Sequence, residues 1–332
     1  MKTMGIIRLG IQVPSFSFGA GRSGANASGK ALSADAGIFE NLVDVATVAE
    51  AAGFDSFFLM DHYRQIPMVG APVDPMPEAY TVLGGIAGRT STIMLGTLVS
   101  GVTYRNPAVL AKMVTTLDVV SSGRAILGIG AAWLDTEHDS YGIEFPPVSE
   151  RMDRLEEAVQ ICRMMFDEEA PSFQGRYYTI KDAFNFPRPL QAGGPPILVG
   201  GGGERRTLQI VAMHADACNV FGDVSTIQHK MDVLARHCES CGRDPGTITR
   251  TRLGTLVIGE TTAEAAGKLS KLAEARGYSE AQSSTVIWGD PDTVAETARS
   301  YLDAGLDGLI FNFPDPLDTA DVALAGEALT SI

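Results

Sequence analysis

The sequence predicts a (β/α)8 barrel, and three observations support this fold class. The chain has 332 residues, a length that such barrels commonly reach. Short apolar, β-branched segments alternate with amphipathic helical segments along the whole chain, which is typical of a parallel sheet covered by helices. Eight apolar segments can be counted, enough to close a barrel. The predicted strands span residues 6–13, 55–60, 93–99, 125–129, 197–199, 216–221, 251–258 and 307–312.

The segments between the strands carry helix signals. Asp290 precedes Pro291, and this pair is typical of an N-cap followed by the first helical residue. Before Gly53, apolar residues recur at the spacing of a helix with one buried face, namely Leu42, Val45, Ala46 and Ala49.

The predicted organisation is one domain over residues 1–332. Three segments exceed a minimal barrel and are interpreted as insertions, near residues 15–35, 167–194 and 277–288. A doubly wound open sheet is the main alternative. It would normally have fewer strands and a point where the strand order reverses, and no such point can be located.

Charge and composition favour a small-molecule ligand. Forty acidic and 26 basic residues give a net charge of -14, which repels nucleic-acid phosphates and anionic lipid. We therefore expect neither a nucleic-acid partner nor membrane binding. The sequence shows no apolar run of the roughly 18 to 20 residues that span a bilayer and no signal-type N-terminus. Four cysteines are too few for a disulfide framework, so a cytoplasmic protein is expected.

The glycine run Gly200–Gly203 follows the fifth predicted strand. Glycines let backbone N–H groups approach a ligand closely, and the residues from Glu204 onward have the pattern of a helix start, whose dipole favours an anion. A phosphate site is the functional interpretation, and Arg205 or Arg206 could pair with the phosphate. A flexible strand-to-helix turn is the alternative, because the run lacks the Lys-Ser/Thr of a Walker loop.

Asp61 and His62 follow the second predicted strand, at the end of a barrel where catalytic residues lie. His is suited to proton transfer near neutral pH, and Asp can orient it or bond to a cofactor. The alternative is that Asp61 caps the following loop and that His62 is an exposed surface residue.

Two further strand ends carry small residues. Ser100 and Gly101 follow the third strand, where they could contact a planar ring or simply form a turn. The segment 128–133 contains a Gly-x-Gly, but Trp133 occupies the sixth position of a dinucleotide motif, so that motif is rejected. Trp133 is expected to pack on a ring or substrate, or to be structural.

No metal or nucleophile motif stands out. The five histidines form no His-x-His or His-Glu-x-x-His pair, so no metal is expected. The Cys-x-x-Cys at 238–241 has no partner pair nearby, and no Gly-x-Ser-x-Gly elbow is present.

Several motifs in fixed order resemble the luciferase-like monooxygenase superfamily, and within it the F420-dependent oxidoreductase branch. They lie at 95–99, 104–107, 122–124, 128–133, 141–146, Arg151, 195–203 and 305–308. The resemblance implies a (β/α)8 barrel, usually a homodimer, that holds F420 or FMN at its carboxyl-terminal mouth.

The resemblance also assigns residue roles. It implies that Asp61 bonds to the cofactor ring, that His62 is the acid or base, and that Leu98–Val99 forms a non-proline cis peptide behind the ring. The implied catalytic residues are His62, Asp61 and Trp133. The implied cofactor-binding residues are Asp61, Leu98, Val99, Ser100, Gly101, Ala131, Ala132, Gly201, Gly202, Gly203, Glu204, Arg205 and Phe221.

Departures from the superfamily's glucose-6-phosphate dehydrogenases bear on the substrate. Those enzymes have a glutamate where this chain has Trp133 and a lysine after strand six, where this chain has Phe221 to Val224. A sugar phosphate is therefore not expected, and the apolar Trp133 and Phe221 indicate a small uncharged or aromatic substrate.

Three functions remain open from the sequence. Hydride transfer between a substrate carbon and C5 of F420 is the leading hypothesis. An FMN-dependent monooxygenase supplied by a separate flavin reductase is the second, because the F420 tail adds charges and few Lys or Arg cluster near the mouth. A non-catalytic flavin-binding protein is the third.

Overall fold

The computed structural model describes residues 7–16, 37–280, 285–315 and 318–332, and the chain folds as a (β/α)8 barrel. Within these ranges the strands are β1 (Leu9–Val13), β2 (Ser56–Leu59), β3 (Met94–Thr97), β4 (Ser100–Gly101), β5 (Ala125–Gly130), β6 (Phe173–Gln174), β7 (Thr179–Ile180), β8 (Ile197–Gly200), β9 (Ala217–Val220), β10 (Thr249–Ile258), β11 (Ile287–Gly289) and β12 (Gly308–Asn312).

Eight parallel strands close the barrel in the order β1, β2, β3, β5, β8, β9, β10 and β12. The closing pair is β12 with β1, in which Leu9 lies opposite Leu309. All eight predicted strands are confirmed within a few residues of their predicted bounds. Because the strands are parallel, their carboxyl ends meet at one face, where a site is expected.

Helices cover the outside of the barrel. In the described ranges they are α1 (Ile38–Ala51), α2 (Ala79–Ala87), α3 (Pro107–Val120), α4 (Asp135–Tyr141), α5 (Val148–Asp167), α6 (Thr207–His214), α7 (Val224–Cys241), α8 (Thr262–Arg276), α9 (Pro291–Asp303) and α10 (Thr319–Leu329). Asp290 caps α9 by accepting a hydrogen bond from the amide of Thr293, as predicted. In these ranges no helix is long and apolar enough to cross a membrane.

The three predicted insertions differ in what the structure shows. Most of the segment near 15–35 lies outside the described residues. The segment 167–194 contains the antiparallel pair β6 and β7. The segment 277–288 leads into β11, which the sequence did not predict and which pairs in parallel with the end of β10.

Apolar side chains fill the barrel interior, so the barrel is a packed core rather than a pore. Val99 and Leu253 pack against this cluster from the site end. Its buried members are Ile7, Phe58, Leu98, Ile126, Leu198, Ala217 and Ile310.

Arg124 anchors the turn between α3 and β5. It follows Ser122 and Gly123, which have φ values of 60° and 88°. The buried guanidinium donates to the carbonyl oxygens of Ser121, Ile93, Ala87 and Thr90 and to the hydroxyl of Thr90. All three of its nitrogens are therefore paired.

We expect Arg124→Met to destabilise the protein by about 3 kcal/mol, because it leaves several buried carbonyl oxygens without donors. Urea denaturation measures the change. The matched control is Arg89→Met, which removes an exposed arginine paired with Glu40 and should change the free energy of unfolding by less than about 1 kcal/mol. Equal effects of the two substitutions would contradict the structural role of Arg124.

Candidate active site

A cavity of about 840 Å³ opens at the carboxyl ends of the barrel strands. Predicted site residues contribute to its wall from five different strand ends, namely His62, Leu98, Val99, Gly101, Ala131, Ala132, Trp133, Gly201, Gly202, Gly203 and Phe221. Gly200 ends β8 and residues 201–203 follow it, close to the predicted position. The structure therefore brings most of the predicted site residues together around one space.

His62 is held by a carboxylate that the sequence analysis missed. Glu137, on α4, is fully buried and its Oε2 lies 2.8 Å from Nδ1 of His62. The same carboxylate accepts hydrogen bonds from the amides of Tyr63 and Arg64 and from the Tyr104 hydroxyl. Because an ionised carboxylate only accepts, Nδ1 carries a proton. Nε2 of His62 makes no hydrogen bond in the described part of the chain and is left for the cavity.

The electrostatics keep Glu137 ionised. Burial by itself would raise the pKa of Glu137, but the hydrogen bonds from His62, Tyr104 and the Tyr63 amide lower it below its ordinary value. Burial and the neighbouring Glu137 raise the pKa of the Tyr104 hydroxyl, which stays neutral and donates. The result is a charged, fully bonded carboxylate that fixes the orientation of the imidazole.

Asp61 lies beside His62 in sequence but does not line the cavity. It is 1% exposed, and both its oxygens accept hydrogen bonds from Arg105, at 2.5 and 3.0 Å. The Ser100 hydroxyl donates to Asp61 as well, at 2.6 Å. Asp61 and Ser100 thus support the wall from behind, and ring contacts by these two residues stay a prediction.

The peptide between Leu98 and Val99 is cis, as the resemblance implies. It lies between β3 and β4 and interrupts the third barrel strand. The buried Gln12 side chain donates to the Leu98 carbonyl oxygen at 3.1 Å. Leu98 and Val99 both line the cavity, so this peptide forms part of its floor.

The glycine run has the features of an anion site. Gly201 has a φ of 127°, which favours glycine. Its amide donates to Asn219, whereas the amides of Gly202 and Gly203 donate to no residue in the described ranges. Lys230, on α7, brings its ammonium group within 2.7 Å of the Gly202 carbonyl oxygen.

The two predicted phosphate arginines have different surroundings. Arg206 forms ion pairs with Asp153 and Glu156 on α5. These pairs hold the loop between β8 and α6 against α5. Arg205 is exposed. Glu204 lies 3.3 Å from His229, and neither it nor Arg205 lines the cavity. Lys230 does not line the cavity either, but its ammonium donates to the Gly202 carbonyl oxygen and lies 3.9 Å from Glu204. No sequence signal links that helix position to the run.

Two aromatic rings also line the cavity. Trp133 is 49% exposed and Phe221 is 56% exposed, and both line it. The Trp133 ring lies edge to face with His62, with centroids 5.8 Å apart. Two arginines that the sequence analysis did not select, Arg252 and Arg276, also line the cavity. The wall therefore has an apolar part beside His62 and a cationic part.

Comparison with known proteins agrees with this geometry. The family model of luciferase-like monooxygenases matches residues 15–283. An F420-dependent glucose-6-phosphate dehydrogenase of Kineococcus radiotolerans is 32% identical over 304 residues, which cover 82% of this chain and 87% of that protein. The enzyme of the same description from Microbacterium testaceum is 30% identical over 298 residues, covering 82% and 87%.

Solved structures share the fold at low identity. The F420-dependent tetrahydromethanopterin reductase of Methanopyrus kandleri superposes with a TM-score of 0.77 at 19% identity, covering 98% of this chain and 99% of that chain. A monooxygenase from Streptomyces bottropensis gives 0.78 at 20% identity, with 98% and 99% covered. The barrel, the strand-end residues and the family match over most of the sequence together show that the chain belongs to the luciferase-like monooxygenase family.

Proposed function

We propose that the protein is an F420-dependent oxidoreductase that transfers a hydride between the deazaflavin and a small organic substrate. The observation that carries the proposal is the dyad of His62 and Glu137 beside a cavity whose floor and rim are the Leu98–Val99 peptide and the glycine run. The curated relatives, similar along most of their length, are named as F420-dependent dehydrogenases. FMN is the alternative cofactor.

The residues present fit such a cofactor. Glycines keep open the space at the end of β8, because a Cβ at Gly200 would lie 2.8 Å from the Val99 side chain and one at Gly203 would lie 2.8 Å from the Thr207 hydroxyl. The unpaired amides of Gly202 and Gly203 and the ammonium of Lys230 provide donors for a phosphate. Bound F420 would supply the hydride-accepting or hydride-donating carbon, C5.

The chain's own residues handle the proton and the surroundings. His62 can accept or donate a proton at Nε2, since Nδ1 is bonded to Glu137. The Trp133 ring, edge to face with His62, makes the space beside His62 apolar. We propose that the reacting part of the substrate is uncharged and lies there.

We also propose that the chain is one domain, that it acts in the cytoplasm and that it forms a homodimer. The continuous barrel supports the first, and the composition and the family resemblance support the others. An F420 enzyme needs no partner reductase, whereas an FMN monooxygenase does.

Titration of the purified protein with F420 and with FMN, followed by fluorescence, tests the cofactor. We expect F420 to bind at micromolar concentration and FMN to bind at least about tenfold more weakly. The opposite order of affinities would contradict F420 and support the monooxygenase alternative.

Gly202→Asp should weaken cofactor binding by at least about tenfold, because it places a carboxylate against the phosphate. Its Cβ would also lie 3.1 Å from the Lys230 ammonium, so the new carboxylate competes for that cation. Gly202→Asn is the matched control, because asparagine has the same shape as aspartate and no charge. Its dissociation constant for the cofactor should lie between those of the wild-type protein and of Gly202→Asp. Unchanged affinity in Gly202→Asp would place the phosphate elsewhere.

Glu137→Gln should lower kcat by about 100-fold, because the imidazole loses the carboxylate that orients it, while the dissociation constant for F420 changes little. His62→Ala should lower kcat at least as much, again with the cofactor bound. Stopped-flow reduction of F420 by substrate, with fluorescence titration beside it, separates the two quantities. Full turnover in His62→Ala would contradict the proton-transfer role of His62, whereas F420 binding without turnover in the wild-type protein would support a non-catalytic binding role.

A further inference from the structure

Arg252 is a buried arginine without an acidic partner. It lies on β10 and is 3% exposed. Its Nε donates to the Gly222 carbonyl oxygen at 3.0 Å and its Nη2 to that of Thr285 at 3.3 Å. The third nitrogen, Nη1, is buried and has no hydrogen-bond partner in the described ranges. Three of the five guanidinium N–H bonds are therefore without an acceptor in the described ranges, both on Nη1 and one on Nη2.

Comparable arginines in this protein are fully paired. Arg250, two residues earlier on the same strand, forms a two-point ion pair with Asp307. Arg105 pairs with Asp61 and Glu78, and Arg124 has an acceptor for each nitrogen. Arg252 has two carbonyl acceptors and the ring of Tyr301, 4.1 Å from its Cζ, but no acceptor for Nη1 in the described ranges. A buried N–H without an acceptor is costly, so its presence indicates that a bound group supplies the acceptor.

The Arg252 side chain belongs to the wall of the cavity, although Nη1 itself is buried. Arg252 lines the cavity together with Gly222 and Gly254. A Cβ at Gly254 would lie 2.2 Å from Nη1, so only glycine at this position leaves room for the guanidinium as placed. The fold thus has a specific place for this cation.

The surrounding charges favour an anion. Arg276 contributes a second guanidinium to the cavity wall, and no Asp or Glu is among the described residues that line it. This wall contrasts with the chain as a whole, whose net charge is -14. Burial lowers the pKa of Arg252, but arginine stays protonated at neutral pH.

We propose that Arg252 binds a carboxylate on the substrate, so that the substrate class is a small organic acid with an apolar reacting end. The inference rests on the proposed oxidoreductase function and specifies its substrate. Nη1 is the nitrogen with no acceptor in the described ranges, because Nε and Nη2 each donate to one carbonyl oxygen. One carboxylate neutralises one guanidinium and accepts from Nη1, whereas a phosphate dianion would need more donors.

The carboxylates of the F420 tail are a second source of the same chemistry. The glycine run that would hold the cofactor phosphate follows β8, whereas Arg252 lies two barrel strands further along, on β10. This separation favours the substrate. The test therefore includes an arm for each source.

Calorimetric titration of the protein, both without cofactor and at saturating F420, uses benzoate, 3-phenylpropanoate and hexanoate, each against its amide. We expect at least one acid to bind about tenfold or more tightly than its amide. Arg252→Gln should remove that preference without changing amide binding. Arg89→Gln, an exposed arginine on the outside of the barrel, is the control and should keep the preference.

Gly254→Ala is the second variant, because it retains the charge of Arg252 and displaces its Nη1. Like Arg252→Gln, it should weaken binding of the acid. If no acid is preferred over its amide, or if Arg252→Gln and Gly254→Ala keep the preference, the proposal is wrong. It is also wrong if Arg252→Gln weakens F420 about tenfold but leaves the deazaflavin without phosphate and tail unaffected, since Arg252 would then hold the cofactor tail.

The same data separate this inference from the proposed function. Wild-type protein that prefers the acid but binds no F420 would contradict only the proposed cofactor. Wild-type protein that binds F420 but shows no acid preference would contradict only the role of Arg252.

Discussion

The buried carboxylate of Glu137 joins the loops that form the mouth of the barrel. It accepts hydrogen bonds from Nδ1 of His62, from the Tyr104 hydroxyl and from the amides of Tyr63 and Arg64. These partners belong to the loops after β2 and β4, whereas Glu137 belongs to α4, which follows β5. A buried carboxylate is tolerated when its lone pairs are satisfied by strong donors. The orientation of His62 therefore depends on three strand ends at once.

The acidic groups near the cavity are turned away from it. Glu137 is enclosed by its four donors, and Asp61 is held by Arg105 and Ser100. The Glu78 carboxylate pairs with Arg105 as well. As a result the space beside His62 holds no free carboxylate from the described part of the chain. This explains how a protein of net charge -14 can offer an anionic cofactor a cavity with a neutral or cationic wall.

The sequence could predict the barrel because each strand carries its own signal. Apolar periodicity placed all eight barrel strands, and reading the residues after each strand found His62, Trp133 and the glycine run. The remaining site residues have no local signal. Glu137 lies in a short polar helix that resembles a solvent-exposed one, and its carboxylate is enclosed by donors from the loops after β2 and β4. Lys230 likewise lies on an outer helix, where a lysine is ordinarily solvated.

Arg252 shows why the charge of the cavity escaped sequence analysis. Strand β10 alternates, and Leu253 packs against the barrel interior, so Arg252 points to the opposite side and resembles an ordinary outward-facing arginine. Arg250, two residues earlier on the same face of β10, pairs with Asp307. In the described residues Arg252 has no corresponding acidic partner, and only this difference in surroundings distinguishes the two arginines. Val99 and the glycines, for which the family resemblance implies cofactor contacts, line the same cavity as Trp133 and Arg252. If the proposed roles hold, substrate specificity in this barrel depends on a few side chains after β5 and β9 and on β10 rather than on the fold.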